Sequence, residues 1–374
     1  MESWKQSIVK GWDHPMQEYL EANKKGTLLK LVTHLSNVCN LSCPGCFVNR
    51  PGDDVTEKRK ARNKDEMTFD EQVQLLEEAR NMGVKTIDIV GAWEPTLDPH
   101  FKDFVDKVES LEMNIVVFTH GATKVFSKAN LIKLKDKPIS FFIKLWSLNE
   151  ERMNHYVRGA LQNYTRLRNE TIDTLKELGF MEGENIKIDG VQRKSTRVGA
   201  DILVMKSNLN EIPDIFRFCR KNNIMPLIKT YIPQWPTKLD HENGVFAGLS
   251  LEEQDQLKAD AVFPEEFARL RKELENIDRE EFGNKNFPVF YPQATFCTQS
   301  MGSLYITINR DILSCVGTNH KYDKYSPWKN ALSDTIQKRI ETVSLGCMPR
   351  VEEAERLEKE IPDEERKILE LEKT

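Results

Sequence analysis

Six short β-like runs alternating with helical stretches mark this chain as α/β, built from right-handed βα units around a parallel sheet. Two further observations shape that reading. The rhythm stops after Gln234-Trp235-Pro236, and a smaller β-containing stretch follows near the C-terminal end. At 374 residues the chain exceeds one small module, and it suits a large α/β unit with an appended domain.

In chain order, residues 1–27 form an N-terminal extension, helical or irregular, docked by Trp4 and Trp12. Leu28–Leu35 is the first β-like run, and the polar stretch 51–66 reads as a loop. Thr68 and Glu71 form a capping box that opens a helix running to Met82, with Gly83 as its stop. Strands are expected at Thr86–Val90, Asn114–Thr119, Ile139–Leu145, Ala200–Met205 and Met225–Tyr231, with helices at Phe101–Leu111, Thr171–Leu178 and Ile212–Asn222. Whether six such units close or leave an open barrel is not readable from periodicity. The βα core thus spans 28–236. A helical connector follows over 237–286, with Phe263, Phe267, Leu270, Leu274 and Ile277 on one stripe. Residues 287–350 form the small β-containing unit, and 351–374 a charged helix or tail.

Lys and Arg total 54 against 59 Asp and Glu, a net charge of −5, which argues against general affinity for nucleic acid or anionic membrane. No run approaches a membrane span, and the N-terminus lacks the pattern of a secretory signal, so a soluble cytoplasmic protein is expected.

Seven cysteines, an odd number unevenly spread, suit thiolate ligation in a reducing compartment better than a disulfide framework. Cys39, Cys43 and Cys46 follow the first β-like run as a C-x3-C-x2-C triplet. Thiolates hold iron–sulfur clusters from such short loops, and ligand sites of parallel βα folds gather at the C-terminal strand ends. A zinc site completed by His34 or His120, or three unligated thiols, are the alternatives.

The triplet resembles the signature of the radical S-adenosylmethionine (SAM) enzymes, and other parts follow in that family's order. Gly91, Ala92, Trp93, Glu94 and Pro95 resemble the Gly-Gly-Glu-Pro stretch that contacts the SAM amino group, although Ala92 and Trp93 depart from it and Gly45 replaces an aromatic residue. Thr119-His120-Gly121 resembles the family's Thr-Asn-Gly. Ser147 matches a serine that contacts SAM, Asn208 sits like the polar residue near the ribose, and Arg197 is a candidate for the SAM carboxylate. Over residues 28–235 the resemblance implies a partial (βα)6 TIM-type barrel. It also implies a [4Fe–4S] cluster whose open iron binds SAM, a 5′-deoxyadenosyl radical that abstracts substrate hydrogen, and a flavodoxin- or ferredoxin-type electron donor.

Cys297 and Cys315 flank an alternating hairpin pattern with Asn309-Arg310-Asp311 at its turn, and Cys347 lies further on. Taken alone, these thiols have buried small hydrophobes as the alternative reading. Beside a radical SAM core they resemble the Twitch domain, the shorter relative of SPASM, which implies a second, auxiliary iron–sulfur cluster in a small α+β domain. His320, an acidic side chain or Cys219 could supply its fourth ligand. The chain ends in LEKT, without the Gly-Gly tail of the family's molybdenum-cofactor cyclase, which counts against that activity.

Cys219 shares a helical face with Ile212, Ile215 and Phe216, so it reads as a buried structural thiol, with a hydrogen-donor role as the alternative. Lys144, Tyr231, Gln234 and Trp235, at the ends of the fourth and sixth runs, are candidate substrate contacts. The expected substrate is a small polar molecule of the sugar, aminocyclitol or nucleotide type. A ribosomal peptide, or a non-catalytic cluster-binding barrel, are the competing readings.

Overall fold

The computed structural model describes residues 6–41, 43, 65–90, 93–157, 161, 163–230, 259–260, 262–284, 302–313 and 321–324. All six expected βα strands form: β2 (Lys30–Thr33), β3 (Thr86–Ile89), β4 (Asn114–Thr119), β5 (Ile139–Lys144), β8 (Val198–Val204) and β9 (Met225–Thr230). They pair in parallel, in that order. The fold is a partial (βα)6 TIM-type barrel, with β9 at one edge of its sheet.

Alternation along each strand divides the sheet into two faces. Leu31, Ile87, Ile89, Ile115, Val117, Ile139, Phe141, Ile143, Ala200 and Ile202 pack outward into one apolar core with the helices. Those helices include α2 (Phe69–Asn81), α3 (Phe101–Ser110), α4 (Lys128–Leu134), α6 (Tyr164–Glu177) and α7 (Ile212–Lys221). The capping box of α2 is present: Thr68 Oγ1 accepts from Glu71 N at 3.3 Å, and Glu71 Oε2 accepts from Thr68 N at 2.7 Å. The predicted connector helix is α8 (Pro264–Phe282), which buries Phe267, Leu270, Leu274 and Ile277. Phe263 is not part of that stripe; it caps the helix and is 59% exposed. The bidentate, buried Arg220–Asp278 pair, at 2.8 and 2.9 Å, ties α8 to α7.

The inner face carries a separate cluster of Val9, Val116, Phe118, Phe142 and Leu227, packed against Trp12. Gly199 lies opposite Phe142 in register, where a Cβ would come within 2.2 Å of the Phe142 ring. Glycine here lets the ring turn inward.

The N-terminal extension differs from its expected helical or irregular form. Gln6–Val9 is a strand, β1, pairing in parallel with β7 (Val191–Thr196), which pairs antiparallel with β6 (Asn185–Ile188). Only then does α1 (Met16–Lys25) begin. The turn after β1 closes the N-terminal end of the barrel. Trp12 makes edge contacts with Phe118 and Phe142 at 5.3 and 5.1 Å, and the Lys30 ammonium lies 3.9 Å from its ring centroid. Lys30 also pairs with the buried Asp88 at 3.0 Å. Burial raises the Asp88 carboxyl to about 6, against the pull of Lys30.

The hairpin predicted from residues 302–315 forms as β10 (Ser303–Ile306) and β11 (Asp311–Leu313), followed by β12 (Lys321–Lys324). β10 adds to β2 in parallel, so the hairpin extends the barrel sheet itself. Arg310 takes a left-handed φ of 71° in the turn and binds Glu71 at the start of α2 at 2.7 and 2.9 Å. Those hydrogen bonds pull the Glu71 carboxyl below its usual range. A short α5 (Glu150–Tyr156) completes the helices beside the site.

Candidate active site

The chain leaves β2 at the C-terminal end of the barrel and enters the cysteine loop. Cys39 Sγ accepts from Leu41 N at 3.4 Å, and Cys43 Sγ accepts from the Lys144 ammonium, also at 3.4 Å. Both side chains pack in one cluster with Leu41, Ala122, Trp146, Met153 and Tyr156. Two sulfurs carrying N–H donors in an apolar shell fit thiolate ligands of an iron–sulfur cluster, whose charge such donors moderate. Cys46, Gly91 and Ala92 lie outside the described residues, as do Tyr231, Gln234, Trp235, Cys297, Cys315, His320 and Cys347.

Beside this loop, Glu94 gathers the loops after β3 and β4. Its Oε1 accepts from Thr96 N at 3.2 Å, Thr96 Oγ1 at 2.5 Å and Thr119 Oγ1 at 2.7 Å. Oε2 accepts from His120 N at 2.8 Å. At 1% exposure the carboxylate is held by these four bonds, which join the two loops. Trp93, just before it, takes a left-handed φ of 70°, the region glycine favours.

His120 occupies the place of the asparagine in the family's motif. Its Nδ1 accepts from Ala122 N at 3.0 Å, which leaves the proton on Nε2 to donate to Asn40 Oδ1 at 2.8 Å. Asn40 is the residue after Cys39, so this bond fixes the cysteine loop to the β4 loop. Burial holds the imidazole below its usual range. With both nitrogens engaged, His120 has no lone pair for the zinc site considered as an alternative. The other candidate, His34, is bonded through Nε2 to the Tyr305 hydroxyl.

Ser147 and Asn208 do come to the same end of the barrel, but their side chains face protein. Ser147 Oγ donates to the Glu211 carboxylate and accepts from Asn149 N at 2.9 Å. Asn208 donates to Trp146 O at 2.7 Å and Leu203 O at 2.8 Å, and accepts from Met205 N at 2.8 Å. It clasps the loop after β8 to the loop after β5 rather than offering its amide to a ribose.

Two candidates are placed elsewhere. Arg197 precedes β8 and lies at the N-terminal end of the strands, opposite the cysteine loop. Its guanidinium donates to the carbonyls of Leu134 at 3.1 Å, Lys137 at 2.9 Å and Ile139 at 2.8 Å, and also to that of Lys135. It closes the turn before β5 and cannot reach a SAM carboxylate at the far end. Cys219 is fully buried between α7 and the sheet, where burial pushes its thiol up to about 12. It packs in the outer core with Ile212, Ile215 and Phe216.

The inner face near this end also holds side chains absent from the sequence-based candidates. Asp201 on β8 pairs in register with Lys144 on β5, and its carboxylate forms an ion pair with Lys229 on β9. The side chains are partly exposed, at 16% for Asp201 and 35% for Lys229. Their signal in the sequence was a charged residue at an inward position of an otherwise apolar strand.

His34 provides a pH test of the region. Burial lowers its imidazole to about 3, so acidification below 6.5 protonates the unfolded chain first. Stability is therefore full above pH 6.5 and is lost as pH falls toward 3, by up to about 1.4 kcal/mol per unit. Urea titrations of wild type and His34→Gln across pH 4–7 should show a shallower acid slope in the variant.

The Radical SAM superfamily model matches residues 33–219. A probable GTP 3′,8-cyclase of Methanococcus maripaludis strain C5 is 24% identical over 235 residues, covering 63% of this chain and 68% of the relative. Among solved structures, Streptococcus suis SuiB bound to S-adenosylmethionine superposes with a TM-score of 0.58 at 18% identity, over 84% of this chain and 68% of that one. Native anSMEcpe with bound AdoMet gives 0.55 at 12% identity, over 84% and 81%. Both structures share the fold. The family model takes in half of the 374 residues, from the last residue of β2 into α7, and with it the whole cysteine loop and the Glu94 hub. The chain belongs to the radical SAM superfamily.

Proposed function

We propose that this radical SAM enzyme removes a hydrogen from a small polar substrate, of the sugar, aminocyclitol or nucleotide type, and oxidises or rearranges it. The observation that carries the substrate class is the row of Lys144, Asp201 and Lys229 on the inner face of β5, β8 and β9. Beneath it lies the apolar floor of Phe118, Phe142 and Trp12. Ionic groups above an aromatic floor can grip and orient a compact polar molecule. The 24%-identical relative bears the name of an enzyme acting on a nucleotide, within the same class.

In this reading Cys39, Cys43 and Cys46 hold the [4Fe–4S] cluster that superfamily membership implies. With SAM, that group supplies reductive cleavage to a 5′-deoxyadenosyl radical, fed by a flavodoxin- or ferredoxin-type donor. The chain's own part is to fix the cysteine loop through the Asn40–His120 bond, hold the neighbouring loops on Glu94, and exclude water with the Trp146 cluster. The stretch Gly91, Ala92 and Trp93 lines the approach to SAM. Tyr231, Gln234 and Trp235 follow β9 and complete the substrate side, while Cys297, Cys315 and Cys347 hold an auxiliary cluster.

Anaerobic reduction of the iron-loaded protein with SAM should release 5′-deoxyadenosine, and a substrate of this class should raise the yield. Asp201→Asn and Lys229→Met should each cut that stimulation at least about tenfold, the loss of one charge-assisted hydrogen bond, while leaving unstimulated cleavage unchanged. Iron-loaded protein that forms no 5′-deoxyadenosine would instead be a non-catalytic cluster-binding barrel.

A further inference from the structure

Lys144 lies beside the cysteine loop. It is the last residue of β5 and faces inward, with its ammonium 3.4 Å from Cys43 Sγ and 4.5 Å from the Trp146 ring centroid. Cys43 is 4% exposed, and its surroundings are Leu41, Ala122, Trp146, Met153 and Tyr156, so the charge reaches the sulfur through little water. The strand end is itself anchored: the buried Arg168 guanidinium donates to Lys144 O at 3.3 Å and Ser147 O at 3.4 Å.

We infer that Lys144 tunes the reduction potential of the cluster held by the cysteine loop, an inference that rests on the cluster assignment proposed above. Reduction adds one electron from a low-potential one-electron donor and makes the cluster–thiolate unit one charge more negative. A fixed ammonium on one of its sulfurs stabilises that reduced form more than the oxidised one, which raises the potential. No proton moves. The cation–π contact with Trp146 holds the ammonium in place whether or not an electron has arrived. On the cluster, Lys144 thus acts through Cys43.

The test is a controlled-potential titration, followed by electron paramagnetic resonance, of the anaerobically loaded full chain without SAM. The variants are Lys144→Met, Lys144→Gln and Lys144→Arg. At a fixed potential the reduced-to-oxidised ratio should fall about tenfold in both neutral variants, a shift of ~59 mV for a one-electron couple. The arginine variant should stay near wild type. Equal iron and sulfide contents show that the variants still assemble the site. If either neutral variant loads fully and titrates with wild type, the inference is overturned. Wild-type protein that holds neither iron nor sulfide overturns the cluster assignment itself.

Discussion

Anaerobically purified Cys39→Ala/Cys43→Ala protein should hold about four fewer irons per chain than wild type and release no 5′-deoxyadenosine. The effect is all or none because the two thiols share one loop and one apolar cluster. Among the described residues, no three His, Cys, Asp or Glu side chains gather to hold a metal ion elsewhere. His120 is tied through both nitrogens to Ala122 and Asn40, and His34 through Nε2 to Tyr305. Fold and cluster loss must be separated. Cys43 is buried and Cys39 partly so, but trimming two small side chains at a loop costs little beside the outer core, so the apo variant should melt close to apo wild type. The wild-type count also tests the C-terminal cysteines. About eight irons falling to about four would support an auxiliary cluster on Cys297, Cys315 and Cys347. About four falling to none would leave those cysteines structural. Zinc without sulfide in the wild type would overturn the radical assignment of the site.

The strands were legible because each is a short apolar run between clear helical stretches. Asn114–Thr119 was placed to the residue, and the capping box at Thr68 and Glu71 marked the start of α2. β6 and β7 were missed although Asp189-Gly190, both at positive φ, carry the hairpin signal. Their flanks are half-exposed and lysine-rich, so hydrophobic alternation is weak there. Trp12 was read as a docking residue, but its place against Phe118 and Phe142 depends on contacts more than a hundred residues away. At the site, motif order placed Cys39, Cys43, Glu94, Thr119, Ser147 and Asn208 together at one end of the barrel. It could not show that Glu94, Ser147 and Asn208 turn their side chains onto neighbouring loops. Arg197 is instructive in another way. A residue preceding a parallel strand must lie at the strand's N-terminal end, so chain direction alone argued against its reaching SAM.

Glu94→Ala should be the most damaging single change outside the cysteines. The substitution leaves Thr96 N, Thr96 Oγ1, Thr119 Oγ1 and His120 N without their shared acceptor at a buried position. An unsatisfied buried donor costs ~1–3 kcal/mol. Even with relaxation and some rescue by water, a loss of about 4 kcal/mol is expected, a large part of a typical domain's stability. Glu94→Gln should not restore it. The amide oxygen can replace one carboxylate oxygen, but its NH2 group then meets either the His120 amide or the two threonine hydroxyls and the Thr96 amide. The hydroxyls can turn to accept, whereas a backbone N–H cannot, so at least one donor faces another donor. The measurement is urea unfolding of cluster-free protein, which keeps metal binding out of the comparison. Glu94→Ala and Glu94→Gln should both unfold at markedly lower urea than wild type, with Glu94→Gln the milder of the two. A wild-type midpoint for Glu94→Ala would mean that the loops after β3 and β4 are held by their strands alone. In that case the buried carboxylate would have to be explained by what it does for a ligand rather than for the fold.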